Sequence, residues 1–289
     1  MIEIDILNKL NAPTREERLA NLKEILKTTE FPPMVPQYIN NHIHTTYSFS
    51  PYSPTAAVYA ARMEGLCTAG IIDHDSISGA REFLAAAELA GMPVTVGMEC
   101  RVSMDSTAMQ SKRTNNPDQV GVSYMTIQSV PHDKIEQLNA WFAPYRAARG
   151  RRNRAMVEKI NALLDGIALD YDRDVLPLSE AKEGGGVTER HLMYALAKKM
   201  VVKAGKGQPM VDYLASIGLN LSAKQQAQML DTAYPFYEYD LLGILKSAFV
   251  PKIYIDATEE CPNVRDVAKL CNDCLLYTSP SPRDGLLSR

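Results

Sequence analysis

The sequence predicts an α/β protein built on parallel strands, and three observations predict it. Short apolar runs alternate with amphipathic segments between residues 38 and 99. Each amphipathic segment is closed by a glycine, Gly65 or Gly91, the residue that best ends a helix. The chemically suggestive side chains stand at the ends of the apolar runs, where ligands gather in parallel α/β folds.

The elements follow in order. Residues 14–28, TREERLANLKEILKT, space Leu19, Leu22, Ile25 and Leu26 as an amphipathic helix does. FPPMVPQ (31–37) carries three prolines and reads as an extended linker. YINNHIH (38–44) is a short strand ending at a histidine pair. SPTAAVYAARMEG (53–65) is a helix with Ser53 as N-cap and Pro54 in the first turn. CTAGII (67–72) is a buried strand that stops at Asp73. SISGAREFLAAAELAG (76–91) is a second helix, which Asp75 or Ser76 is placed to cap, and MPVTVGM (92–98) is a third strand that stops at Glu99. Such an order implies right-handed crossovers between parallel strands.

Beyond residue 100 the alternation is interrupted. Residues 100–130 are polar, with room for further strands in a loop-rich insertion. Residues 133–148 and 152–165 read as helices, KEGGG (182–186) as a flexible loop, and 188–204, 208–217, 223–231 and 239–249 as more helices. KIYIDA (252–257) reads as a late strand, and CPNVRDVAKLCND (261–273) opens another helix. From Cys274, CLLYTSPSPRD resembles adapter DNA translated in frame, so residues 274–289 are read as an artefactual tail and the natural chain is expected to continue differently. The CxxC of Cys271 and Cys274 has no second ligand pair at zinc-site spacing.

Composition excludes several classes. With 46% hydrophobic and 22% charged residues, the 289-residue chain is ordinary for a globular protein. A net charge of −3 gives no argument for a nucleic-acid or anionic-membrane partner. No apolar run is long enough to span a bilayer. MIEIDILNKL lacks the basic start and apolar block of a secretion signal. The five scattered cysteines suit a reducing compartment, so a cytoplasmic location is expected.

Five histidines are few, yet His42 and His44 are one residue apart. Residues i and i+2 of a strand share a face, so the pair aims two imidazoles at one point, as a metal ion requires. The bland reading is a pair of hydrogen-bonded loop histidines. Asp73-His74-Asp75 ends the second strand. It offers a third imidazole, with Asp73 and Asp75 as acids to orient a ligand or assist proton transfer. Glu99, alone, would be a surface carboxylate; in company with three histidines it is a bridging candidate. No GxSxG occurs, and Cys67 and Cys100 carry no mark of activation.

HIHTTYS, IIDHDSISGA and VTVGMEC resemble, in order and separation, the first motifs of the polymerase-and-histidinol-phosphatase (PHP) superfamily: HxHTxxSDG, TDHDxxxG and GxE. The close match covers about residues 39–101. The resemblance implies a distorted (βα)7 barrel holding two or three Mn, Zn, Mg or Fe ions and hydrolysing phosphate esters. It implies metal ligands at His42, His44, His74 and Glu99. TERHLMYALAKKM (188–200) is a fainter match to an RPHxAxAL segment of the branch that includes nucleoside 3′,5′-bisphosphate phosphatases. It offers His191 as a ligand and Arg190 as a phosphate contact; a surface histidine in a first helical turn is the other reading. On this view residues 1–37 are an N-terminal helix and linker and 38–131 the first half of the barrel. Residues 132–250 are a helix-rich insertion, and 251–273 a barrel resumption that is C-terminally incomplete.

Two departures stand out. The acid of SDG is missing, and Ser50 or its neighbour stands in its place. The closing Asp-x-His is absent, since no histidine follows residue 251; it is expected downstream, and the chain as it stands is expected to be weakly active. Asp256 is a possible extra acid. His132 is read as a loop histidine. Arg146, Arg149, Arg151, Arg152 and Arg154 are offered either to phosphates or, as the favoured reading, to a solvated helix junction. The function expected is hydrolysis of a small phosphate monoester such as a nucleotide phosphate, with nucleic acid a partner only as a short or end-bound substrate. The rival is a degenerate PHP-like module that binds a metal or a partner without catalysis.

Overall fold

The structure is a computed structural model that describes residues 3–273 and the backbone of 277–280. The reading of 274–289 as an artefactual tail otherwise lies outside the described residues. The chain forms two compact units: Met1–Ala148 with Glu180–Gly186 and Ala257–Arg289, and Arg149–Ser179 with Val187–Asp256.

The first unit carries the sheet. Helix α1 (Ile4–Leu10) precedes α2 (Arg15–Leu26), which starts at a Thr14–Glu17 capping box. The short α1 offers too little period to be read from sequence. Strand β1 (Val35–Ile43) starts earlier than the YINNHIH reading and takes in Pro36. A proline is tolerated there because β1 lies at the edge of the sheet. Helix α3 (Pro54–Met63) begins as read, with the Ser53 hydroxyl accepting from the Ala56 N–H. Strand β2 (Leu66–His74), helix α4 (Ala80–Ala90) and strand β3 (Val94–Ser103) complete the alternation. Gly91 closes α4 in the left-handed region, φ 61°. A buried fork of Arg18 on Glu82, joined by the Thr55 hydroxyl, pins α2, α3 and α4 together.

Strands β1, β2 and β3 are parallel, as expected. Strand β4 (Val122–Gln128) and strand β5 (Tyr277–Pro280) are antiparallel additions, giving a mixed sheet ordered β1-β2-β3-β4-β5. Gly97 lets β3 and β4 approach: a Cβ there would run into the Ile127 carbonyl.

Three local expectations are corrected. Neither Asp75 nor Ser76 caps α4, whose N-cap is Gly79 without a side-chain bond; the Ser76 hydroxyl accepts from the Ser78 N–H one turn earlier. The two helices read at 133–148 and 152–165 are one, α5 (Ile135–Leu163). Gly150 costs it about 1 kcal/mol, against buried Phe142, Met156 and Ile160 along its length. In the second unit, KIYIDA is not a strand. Helix α6 (Glu189–Ala204), α7 (Gln208–Ser216), α8 (Ala223–Leu230) and α9 (Tyr237–Ile253) fill the unit, and α9 takes Lys252 and Ile253 as its last residues. Phe249, Val250 and Ile253 are buried at helical spacing, which overrides the strand propensity of Ile-Tyr-Ile. Back in the first unit, α10 (Val264–Asp273) forms where it was read. Among the described residues no helix is long and apolar enough to cross a membrane.

Candidate metal centre

The strand ends of the first unit converge. His42 is the penultimate residue of β1, and His44 lies just past its end. His74 is the last residue of β2, and the register sets it opposite Glu99 of β3. His42 Nε2, His44 Nε2 and His74 Nδ1 stand 3.6, 3.7 and 3.3 Å from the same atom, Glu99 Oε2. The ligand atoms of His42, His44 and Glu99 lie within 4.8 Å of one another. The His44 and His74 rings stack at 4.5 Å, and His42 meets His44 edge-on at 5.0 Å. Glu99 is buried while the three imidazoles are partly open to solvent.

This donor set fits a divalent cation. Two ligands about 2.1 Å from one ion at a tetrahedral angle sit roughly 3.4 Å apart, close to the separations seen here. Two imidazole nitrogens and a carboxylate oxygen, with the His74 ring beside the same carboxylate, suit a divalent cation. Among the described residues, only imidazoles stand within ion-pair range of the buried Glu99 carboxylate, so a cation would supply the charge that such a group needs. His42 Nδ1 is buried with no hydrogen-bond partner.

The two aspartates flanking His74 are engaged in different ways. The Asp73 side chain is 1% exposed. Its oxygens accept from the Thr45 N–H, the Thr45 hydroxyl and the Ser48 hydroxyl, each at 2.6 Å. Burial pushes its pKa up to about 6, with the Ser48 and Thr45 hydrogen bonds pulling the other way. Asp75 takes φ 56°, a left-handed value that aspartate tolerates better than most residues. Its N–H donates to the Glu99 carbonyl and its carbonyl accepts from Arg146. Its backbone thus fixes the bend after His74.

KEGGG is a packed strap. The Gly186 N–H donates to the Tyr47 carbonyl at 2.7 Å, and the Ser76 hydroxyl donates to the Gly184 carbonyl at 2.7 Å. A Cβ at Gly186 would stand 2.7 Å from the His74 carbonyl oxygen. Glycine is therefore what permits the strap to lie against the ligand loop. Ser50, in the place of the missing acid, accepts from the Tyr52 N–H and shapes the turn. Sequence reasoning also passed over Tyr124, whose ring lies 5.9 Å from His74. It carries no local signal, because only the β3–β4 register brings it there.

His191 and Arg190 belong to the second unit. His191 is buried at the third position of α6, where Nδ1 accepts from the Thr188 N–H at 2.9 Å. This is a capping box with histidine in the place of Glu or Gln. Burial, followed by the charge of Arg149, lowers its pKa to about 3. Because Nδ1 accepts, the neutral ring carries its proton on Nε2. The surface-histidine reading is thus corrected, since the ring is buried. Arg190 is exposed. Arg149 and Arg152 pair with Glu189, each at 2.7 Å, and Arg154 forks onto Asp172. Arg149 and Arg152 are thus tied internally, whereas Arg151 and Arg154 are exposed, as in the solvated-junction reading. His132 is exposed in a short 3₁₀ turn, and Asp256 is exposed. Burial raises the pKa of the Cys100 thiol, which unsuits it as a nucleophile.

A profile of the PHP domain matches residues 40–199. The chain belongs to the PHP domain family. A proposed metal-dependent phosphoesterase from Bifidobacterium adolescentis shares the fold, with a TM-score of 0.54 and 22% identity over 86% of this chain and 67% of that one. An amidohydrolase from Chromobacterium violaceum, solved with bound sulfate and no metal, gives a TM-score of 0.44 and 15% identity over 86% and 99% of the two chains. No curated protein sequence matches this PHP chain.

Proposed function

We propose that this PHP-domain chain is a metal-dependent phosphoesterase acting on small phosphate monoesters. The observation that supports it most is the convergence of His42, His44 and His74 on one oxygen of the buried Glu99. These four residues would hold the cation, with Glu99 shared between the His42–His44 side and the His74 side. A bound divalent ion supplies acidity to water and offsets charge on the phosphoryl oxygens. The chain supplies placement. The β1 edge and the β2–β3 register fix the imidazoles, and the Gly184–Gly186 strap with the Asp75 bend holds the backbone at His74.

A nucleotide phosphate, such as a 3′,5′-bisphosphate, is the substrate we favour within this class. The motive is the resemblance of TERHLMYALAKKM to the RPHxAxAL segment, in which Arg190 is offered as a phosphate contact. The degenerate-module reading rests on Ser50, which offers no carboxylate.

The test is hydrolysis of a generic aryl phosphate and of a nucleotide and sugar-phosphate panel with Mn²⁺. Turnover that His42→Ala abolishes supports the phosphoesterase. Bound metal without turnover on any substrate would favour the degenerate module.

A further inference from the structure

Asp73 and His74 are neighbours on β2, while Thr45 and Ser48 follow His44 on the next loop. The buried Asp73 carboxylate joins these two segments through the three 2.6 Å bonds described above. One of them ends on the peptide N–H directly after His44. A fourth contact extends the chain: the Ser48 hydroxyl oxygen lies 3.4 Å from His44 Nδ1.

A serine hydroxyl has one proton and two lone pairs. Three acceptors compete for that proton: Asp73 Oδ1 at 2.6 Å, the Thr45 carbonyl at 3.5 Å and, if unprotonated, His44 Nδ1 at 3.4 Å. The short, charge-assisted bond wins. The face of Ser48 toward His44 therefore presents a lone pair, and a lone pair favours an N–H on Nδ1. A neutral imidazole carries one proton, so Nε2 keeps its lone pair. Nε2 is the nitrogen directed at Glu99, 3.7 Å away.

We propose that Ser48 and Asp73 set the tautomer of His44, so that Nε2 meets the cation with a free lone pair. Both are positioning residues; neither touches the reacting atoms. The inference deepens the phosphoesterase reading and rests on it for the cation alone. It also gives Asp73 a purpose that proton transfer does not, since both of its oxygens are engaged in a closed site. Outer groups that orient a metal-ligating histidine change metal affinity by about 10–100-fold when removed.

The experiment uses the whole chain, labelled with ¹⁵N-histidine and stripped of metal, at mildly alkaline pH. Two-bond ¹H–¹⁵N correlation spectra report each ring's tautomer, and a His44→Gln variant assigns the His44 signals. His44 is expected in the Nδ1–H form. Ser48→Ala should shift it toward Nε2–H and weaken Zn²⁺ binding, measured by calorimetry, about 10–100-fold. Asp73→Asn, which keeps an acceptor for Ser48, should do less of both. His44 in the Nε2–H form in the unsubstituted protein overturns the proposal, and this reading needs no variant to fold. So does a Ser48→Ala protein with tautomer and affinity unchanged. If His44 shows the Nδ1–H form and Ser48→Ala shifts it, yet neither Zn²⁺ nor Mn²⁺ binds, the tautomer brace stands and the phosphoesterase reading fails.

Discussion

His44 and His191 both follow motif-like stretches, but their surroundings differ. His44 is partly open, and its Nε2 faces a buried carboxylate beside two other rings. His191 is closed in, and its Nδ1 is occupied by the Thr188 backbone. The Nε2 of His44 is directed at Glu99, whereas the Nδ1 of His191 completes a helix start.

Removing a cluster ligand should have the largest effect. Glu99→Gln is expected to lower Mn²⁺-dependent turnover by more than ~100-fold, beyond what loss of an outer partner causes. Isothermal titration with Mn²⁺ should show binding lost in parallel. Breaking the other side of the comparison calls for His191→Ala. It leaves the Thr188 N–H without its partner and opens a cavity, at a cost of ~1–3 kcal/mol. Urea unfolding followed by circular dichroism would read the loss.

A pH series sharpens the contrast. His191 has a folded pKa of about 3 against an ordinary 6.5, so the unfolded chain binds its proton more readily. Its contribution to stability is complete above about pH 6.5 and is lost as the pH falls from there toward 3. His191→Gln keeps an acceptor for Thr188 and does not titrate. The urea midpoint of this variant should therefore fall less steeply with acid than that of the unsubstituted chain. The smallest effect is expected from Arg190→Ala. This exposed change should alter stability by less than ~0.5 kcal/mol; a raised KM with unchanged kcat would support the phosphate contact.

Much of the site was legible because it lies at strand ends. Period-2 geometry placed His42 and His44 together, and the alternation of strands and helices brought His74 and Glu99 beside them. Helix signals at Ser53, Pro54 and Gly91 were equally local and held. What escaped was set by tertiary packing. Lys252 and Ile253 joined a helix because their neighbours were buried at helical spacing. The antiparallel turn of β4, and with it Tyr124, depended on register. The glycines of KEGGG suggested freedom, whereas in the fold they permit close packing, with Gly186 against His74. The engagement of Asp73 by Thr45 and Ser48 joins residues 25 and 28 apart in sequence, beyond the reach of any local pattern.

The proposed function assigns cation binding to the His42–His44–His74–Glu99 cluster. Metal content after loading with Mn²⁺ and desalting, compared across the unsubstituted chain, His42→Ala and His191→Gln, tests it most directly. Bound Mn²⁺ retained in His191→Gln and lost in His42→Ala is the predicted result. Metal retained in His42→Ala and lost in His191→Gln would contradict it.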